Sequence, residues 1–137
     1  MPSGAFGDVE KGTYKGLTVV IKTAIKENLD KVSMDMFCKE AEISYKANGH
    51  ENIVPFIGFC EDRNSLKLLF SYKSGGSVLS ALIKHNKYRS SQVEDVKHVI
   101  KMALDAARGL KYLHSERVIH RDVALRNMLL DESDNLW

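Results

Sequence analysis

The sequence predicts an α+β fold in two parts, and three observations carry that prediction. Residues 1–72 are dominated by short β-branched or alternating runs with one helical stretch. The remainder is dominated by helical periodicity and ends in a small hairpin. The joint, SYKSGGS at 71–77, is polar and glycine-rich, as a hinge would be.

Taken in order, Val9–Tyr14 and Leu17–Ala24 read as a hairpin about the turn Lys15-Gly16. A polar stretch runs through Asp30. Ser33 is the expected N-cap of a helix from about Met34 to Ala47, and Gly49 in NGHENI is its natural stop. VPFIGFCE (54–61) and SLKLLFSY (65–72) read as strands around the turn Asp62-Arg63-Asn64, and Pro55 gives the first of them an edge or an irregular start. A short helix covers Val78–Asn86. A long one covers Val93–His114, with Val96, Val99, Ile100, Ala103, Ala107, Leu110 and Leu113 on one face. Two short strands follow, Met128–Leu130 and one beginning at Leu136.

Bulk properties narrow the function classes. The chain has 137 residues, enough for one domain with a real core. Its composition, 44% apolar and 28% charged, is that of an ordinary globular protein, and a net charge of +2 gives no electrostatic footprint for nucleic acid. The basic run KHNKYR (84–89) has no second basic patch to support it and reads as a solvated helix end. Cys38 and Cys60 stand alone, with no ligand spacing, so they are expected to be small core residues in a reducing compartment. His50, His85, His98 and His114 are expected to be solvated or locally hydrogen-bonded. No apolar run approaches a membrane span and no signal peptide begins the chain, so cytoplasmic exposure is expected.

Three stretches carry chemistry. In SGAFGDV, Gly4 and Gly7 precede a strand, a turn in which backbone N–H groups can approach phosphate oxygens; two glycines alone more often mark a plain turn. In TVVIKT, Lys22 lies inside an apolar strand. In the next helix Glu40 shares a stripe with Met36, Ile43 and Ala47, so each charge lacks a partner that the other can supply. At ~4 Å and an effective dielectric of ~20 the pair gains about 4 kcal/mol before desolvation, which can cancel it; such a pair is seldom there for stability alone. A lysine held in this way is positioned to hold a phosphate. In the last loop, Asp122 can orient a hydroxyl and accept its proton, and Asn127, five positions on, can bind a metal through its neutral carbonyl oxygen. His120 and Arg121 then look like residues that fix the loop.

These stretches occur in the order of a known family. SGAFGDV, VVIK, FCKEAEI, GHENIVPFIGFC, FSYKSGGSV, a long helix ending LKYLH, and HRDVALRN together resemble the N-terminal part of a eukaryotic protein kinase domain, across nearly the whole chain. The resemblance implies a bilobal fold: a small-lobe antiparallel sheet with one helix (1–72, lacking its first strand), and an incomplete helical large lobe (73–137, through the catalytic loop). It implies ATP and Mg2+ as cofactors. By its motifs Gly4, Gly7 and Val9 cover ATP, and Lys22 contacts its phosphates and pairs with Glu40. Phe70 guards the back of the adenine pocket, backbone groups of Ser71, Tyr72 and Lys73 bind adenine, and Val20 and Leu129 sandwich it. Asp122 matches the catalytic base and Asn127 a magnesium ligand. Ala124 and Arg126 replace the Lys and Glu typical of serine/threonine kinases, so HRDVALRN resembles the tyrosine-kinase form. The expected partner is then a protein substrate with a tyrosine acceptor, with Arg126 supplying a cation to the reacting group.

The pattern is not complete. Pro2 stands where the first loop glycine is expected, Val20 replaces an alanine, and Ser44 replaces a large apolar residue one turn after Glu40. By the family's spacing the metal-binding aspartate of Asp-Phe-Gly falls about four residues past Trp137. The 137 residues alone are therefore expected to be inactive, with a loosely packed second half. The second reading is a shortened kinase-like module that binds nucleotide or a partner without catalysis.

Overall fold

The computed structural model describes residues 8–85, 87, 88 and 93–137. They divide into two compact units. One holds the described chain up to Asn48 together with Pro55–Tyr72; the other holds Gly49–Val54 and Lys73–Trp137. The α+β class stands.

In the first unit, β1 (Asp8–Tyr14) and β2 (Leu17–Ile25) form a hairpin in which Tyr14 faces Leu17. Its two-residue turn needs positive φ at both centres, which Lys15 (48°) and Gly16 (79°) adopt. With β3 (Phe56–Glu61) and β4 (Ser65–Ser71) the sheet runs β1-β2-β4-β3, all antiparallel. Asp62 closes the β3–β4 turn. Its carboxylate accepts from the Ser65 hydroxyl (2.7 Å) and from the N–H groups of Asn64 (2.8 Å) and Ser65 (2.7 Å), bonds that hold the carboxyl below its ordinary range.

Helix α1 (Lys31–Lys46) covers the sheet by inserting Phe37 against Ala24, Phe56, Leu66 and Leu68, with Met34 and Ala41 beside it. Phe37 is 1% exposed, and burying it contributes about 1.5–3 kcal/mol. Three expectations for this helix are corrected. It starts at Lys31, and its N-cap is Asp30, whose carboxylate accepts from the Ser33 N–H at 2.7 Å. An ionised carboxylate also gains from the positive helix end, which a hydroxyl does not. Of the expected stripe only Ala47 is buried, and Met36 and Ile43 are 51% and 40% exposed; the side that faces the sheet is buried Phe37 with half-buried Met34 and Ala41. Phe37 is the large side chain that reaches the sheet, and its insertion sets the rotation of the helix. Cys38 is thereby turned outward, and Cys60 lies at the exposed end of edge strand β3, so neither is a core residue.

In the second unit β5 (Gly76–Ser77), which no sequence signal announced, pairs with β6 (Leu129–Leu130), and Leu130 bridges to Leu136. The glycine-rich segment is therefore pinned rather than slack. The Gly75 N–H donates to Leu130 O and the Val78 N–H to Met128 O, both at 2.9 Å. A Cβ on Gly75 would stand 2.6 Å from Asp131 O. Ser77 caps α2 (Val78–Lys84), which ends before Asn86, a residue outside those described. Val78 and Ala81 pack with Met102 of α3 (Val93–Ser115), Leu130 and Leu136.

The buried face of α3 is Met102, Asp105, Gly109 and Leu113, not the one predicted. Of the expected set Leu113 is buried and Leu110 half-buried, while Val96, Val99, Ile100, Ala103 and Ala107 are exposed. The core of α2 and β6 reaches Met102 and Ala106, and the turn before Ile53 reaches Gly109, which fixes the side of α3 that faces inward. Asp105, 5% exposed on that side, is ion-paired by Lys101 (2.8 Å) and Arg108 (3.5 Å). In the HENI turn the His50 ring stacks on Tyr112 and its Nδ1 accepts the Asn52 N–H, and Asn52 Nδ2 donates to Leu136 O at 3.0 Å.

The single tryptophan, Trp137, is held from two sides. Its Nε1 donates to Asp131, and the Lys73 ammonium lies over its ring. Burial opposes ionisation of Asp131. The Asn135 side chain and N–H, the Trp137 indole and the Ser133 N–H outweigh it and hold the carboxyl at about 2.

Two outcomes are expected of this unit. Gly109→Ala places a Cβ 2.8 Å from Asn52 O and is expected to destabilise by about 1–3 kcal/mol in urea unfolding. Gly58→Ala, in strand β3 of the first unit where nothing lies within 4 Å of the added Cβ, is the control and is expected to stay within about 1 kcal/mol of the parent. Because the folded-state value for Asp131 lies below the ordinary 3.8, its stabilisation is present above that pH and is lost as pH falls toward 2. An acid titration of Trp137 fluorescence is expected to show a transition in that window, and Asp131→Asn is expected to remove it.

Candidate functional site

The first group of candidate residues belongs to the β2–α1 unit. Lys22 sits mid-strand in β2, opposite Val9 on one side and Leu68 on the other. Its ammonium donates to both carboxylate oxygens of Glu40, at 2.8 and 2.6 Å, so the expected pair forms. The side chains are 19% and 38% exposed, which leaves the ammonium partly open to a further anion. Val20 stands between Lys11 and Phe70 in the sheet, and the Phe70 ring meets Phe56 edge to face at 5.3 Å. Beyond Phe70 the backbone is partly committed. The Ser71 N–H donates to Pro55 O (2.9 Å) and the Tyr72 N–H to Thr18 O (3.4 Å), while Lys11 lies over the Tyr72 ring. Any adenine contact from Ser71 and Tyr72 must then use their carbonyls. Gly4 and Gly7 lie outside the described residues.

Sequence reasoning missed what holds Glu40 in place. Phe37, one turn before it, is the core anchor of α1. At the other end Asn48 clamps Phe56: Nδ2 donates to Phe56 O (2.9 Å) and Oδ1 accepts the Phe56 N–H (3.1 Å). A side-chain amide thus supplies the ladder contacts that a neighbouring strand would, just where β3 begins with an irregular register. The available signal was a polar amide beside Gly49, which alone reads only as a helix stop.

The second group belongs to the loop after α3. Asp122 is exposed, and its two oxygens are divided between neighbours. Arg126 Nη2 donates to Oδ1, and Asn127 Nδ2 donates to Oδ2 and to the Asp122 carbonyl, both at 2.9 Å. The five-residue spacing closes because the Asn127 N–H reaches Ala124 O (2.9 Å) and Arg121 takes a left-handed φ of 64°. His120 Nδ1 accepts the Asp122 N–H, so His120 fixes the loop as expected. The Asn127 amide first, then the Arg126 guanidinium, keep the Asp122 carboxyl below its ordinary range, so it is ionised at neutral pH. Leu129 lies half-buried on β6 opposite Ser77. Lys73 follows Tyr72, and its side chain is turned to Trp137; burial lowers its pKa and the Asp131 charge offsets part of that.

The donors suit a hard cation that retains ligands of its own. Donation from Nδ2 to Asp122 turns Asn127 Oδ1, a magnesium-type donor, away from that carboxylate. Among the described residues no three His, Cys, Asp or Glu side chains converge, so a magnesium ion here would need oxygens from water and phosphate, as that ion commonly does.

Comparison with known proteins shows the family to which the chain belongs. The family described as protein tyrosine and serine/threonine kinase matches residues 1–136. Serine/threonine-protein kinase STY46 of Arabidopsis thaliana is 36% identical over 132 residues, which are 96% of this chain and 22% of that protein. Tyrosine-protein kinase Fer of Homo sapiens is 39% identical over 133 residues, covering 97% and 16%. Serine/threonine-protein kinase TNNI3K of Mus musculus is 36% identical over 134 residues, covering 95% and 15%. The chain therefore spans less than a quarter of the length of each of these relatives.

Asn48→Ala strips Phe56 of both contacts and is expected to destabilise the first unit by about 1–3 kcal/mol, read by urea unfolding. A loss below about 0.3 kcal/mol would mean that water replaces the amide at no cost.

Proposed function

Because the chain belongs to the protein tyrosine and serine/threonine kinase family, we propose that it carries the nucleotide-gripping and acceptor-orienting residues of an ATP-dependent phosphoryl transfer to tyrosine hydroxyls of protein substrates. The observation that carries this reading is the Asp122 carboxylate, ionised and shared between Arg126 and Asn127.

Lys22, steadied by Glu40, binds phosphate oxygens of ATP through its exposed side. Val9, Val20 and Phe70 are the apolar contacts that the first unit offers to adenine, and the backbone of Ser71 and Tyr72 offers it polar groups. Asn127 offers its carbonyl oxygen to magnesium, which would neutralise charge on the phosphates. Asp122 orients the acceptor hydroxyl. A carboxylate with a depressed pKa is a weak base, so it takes the proton late, once the oxygen–phosphorus bond has begun to form. Two features support tyrosine as acceptor. Ala124 leaves the position two residues after Asp122 without the lysine typical of serine/threonine kinases. Arg126 brings a guanidinium to the carboxylate oxygen that the acceptor must approach. A phenol ionises near pH 10, so an adjacent cation favours its developing negative charge. Cytoplasmic exposure belongs to the same proposal.

The test is a kinase assay on the longest product that carries this sequence, with peptides differing only in a Tyr, Ser or Thr acceptor. Phosphate is expected on tyrosine alone. Asp122→Asn is expected to lower kcat by about 10²–10⁴ while nucleotide affinity is retained. Transfer to serine or threonine alone overturns the tyrosine reading, and unchanged turnover in Asp122→Asn overturns the role of that residue.

A further inference from the structure

Lys22 has a second neighbour besides Glu40. Its ammonium stands over the Phe37 ring, 5.7 Å from the centroid, inside the distance at which a cation and an aromatic face attract. Phe37 is buried among Ala24, Phe56, Leu66 and Leu68, so the ring cannot follow a wandering lysine; the lysine must come to the ring. The strand register keeps it there, since Leu68, one of the ring's core neighbours, is the residue opposite Lys22.

We propose that Phe37 is a positioning residue for the phosphate-binding lysine: its ring face and the Glu40 carboxylate together orient the Lys22 ammonium toward bound nucleotide. The proposal rests on the nucleotide reading above and deepens it. Phe37 and Glu40 are three residues apart on α1, so both contacts to the ammonium are carried by one turn of helix. Any movement of α1 away from the sheet removes the two together. The lysine is thus aimed only while the helix is docked, and the residue that docks the helix is also one that aims the lysine.

A purely structural role and this one part company when the ring keeps its size and loses its negative face. The full chain is made with phenylalanine, 4-fluoro-, difluoro- and trifluorophenylalanine at position 37, and with Phe37→Leu. Folding is matched by circular dichroism, and ATP affinity is measured by calorimetry with magnesium present. Affinity is expected to fall stepwise with fluorine number, by about 2–5-fold in total, the range for one cation–ring contact. In parallel, the Lys22 Hε resonances, assigned by their loss in Lys22→Met, are followed by NMR without nucleotide. They are expected upfield of the other lysines in the parent and back among them in Phe37→Leu. Affinity independent of fluorination in folded variants overturns the proposal, as does a Lys22 resonance that ignores Phe37→Leu. A parent that shows the upfield resonance but binds no ATP supports the Phe37 contact and overturns the nucleotide reading instead.

Discussion

The Lys22–Glu40 pair is the interaction to which the first unit is fitted, but it is not what holds that unit together. A pair 19% and 38% exposed is worth roughly 0–1 kcal/mol to stability. Phe37, buried three residues earlier on the same helix, is worth about 1.5–3 kcal/mol. The stronger contact sets the helix position, and the weaker one adapts to it. Phe37 fixes the rotation of α1, Asp30 fixes where it starts, and Asn48 ties its far end to Phe56. Glu40 lies between these fixed points, so its carboxylate meets Lys22 without a search. An ion pair that contributes little stability and is held by stronger contacts is built for position, as the proposed phosphate grip would require.

The Asp122 loop solves a different problem. The carboxylate is exposed, so each bond to it competes with water, and among the described residues its side-chain partners are the exposed Arg126 and Asn127. Order comes from local closure. Arg121 takes a left-handed backbone, the Asn127 N–H returns to Ala124, and the Asn127 amide reaches back to both the carboxylate and the carbonyl of Asp122. The loop is anchored on its C-terminal side, where β6 pairs with β5 and where Trp137, clasped by Asp131 and Lys73, exchanges both backbone bonds with Leu129.

Much of this was legible in the sequence because it rests on local signals. The Lys15-Gly16 hairpin, the Asp62 turn and the period of α3 declare themselves within a few residues. Lys22 and Glu40 announced each other because each charge lies in an apolar context, and a charge without a partner is costly. What escaped was set by contacts distant in sequence. β5 has two residues and exists only because Leu129 and Leu130 lie beside it. The inner face of α3 is decided by α2, β6 and the Asn52 turn, and helical periodicity cannot say which apolar face a neighbour covers. Phe37 prevailed over the Met36–Ile43 stripe by size and reach. The cysteines were misjudged because composition ranks a residue type, whereas position on α1 and on the edge strand β3 decides its exposure.

Similarity and site chemistry answer different questions. A serine/threonine kinase and a tyrosine kinase match this chain at 36% and 39% identity, so overall likeness shows the kinase family and says nothing of the acceptor. The acceptor is chosen by the side chains that meet its oxygen, and within the loop those are few. The guanidinium of Arg126 is always charged, and its contact with Asp122 puts a cation beside the carboxylate proposed to orient the hydroxyl. Charge developing on a phenol oxygen is stabilised there at lower cost than charge on an aliphatic oxygen, whose conjugate acid is far weaker. The proposal of tyrosine as acceptor therefore rests on Ala124 and Arg126 and not on overall identity.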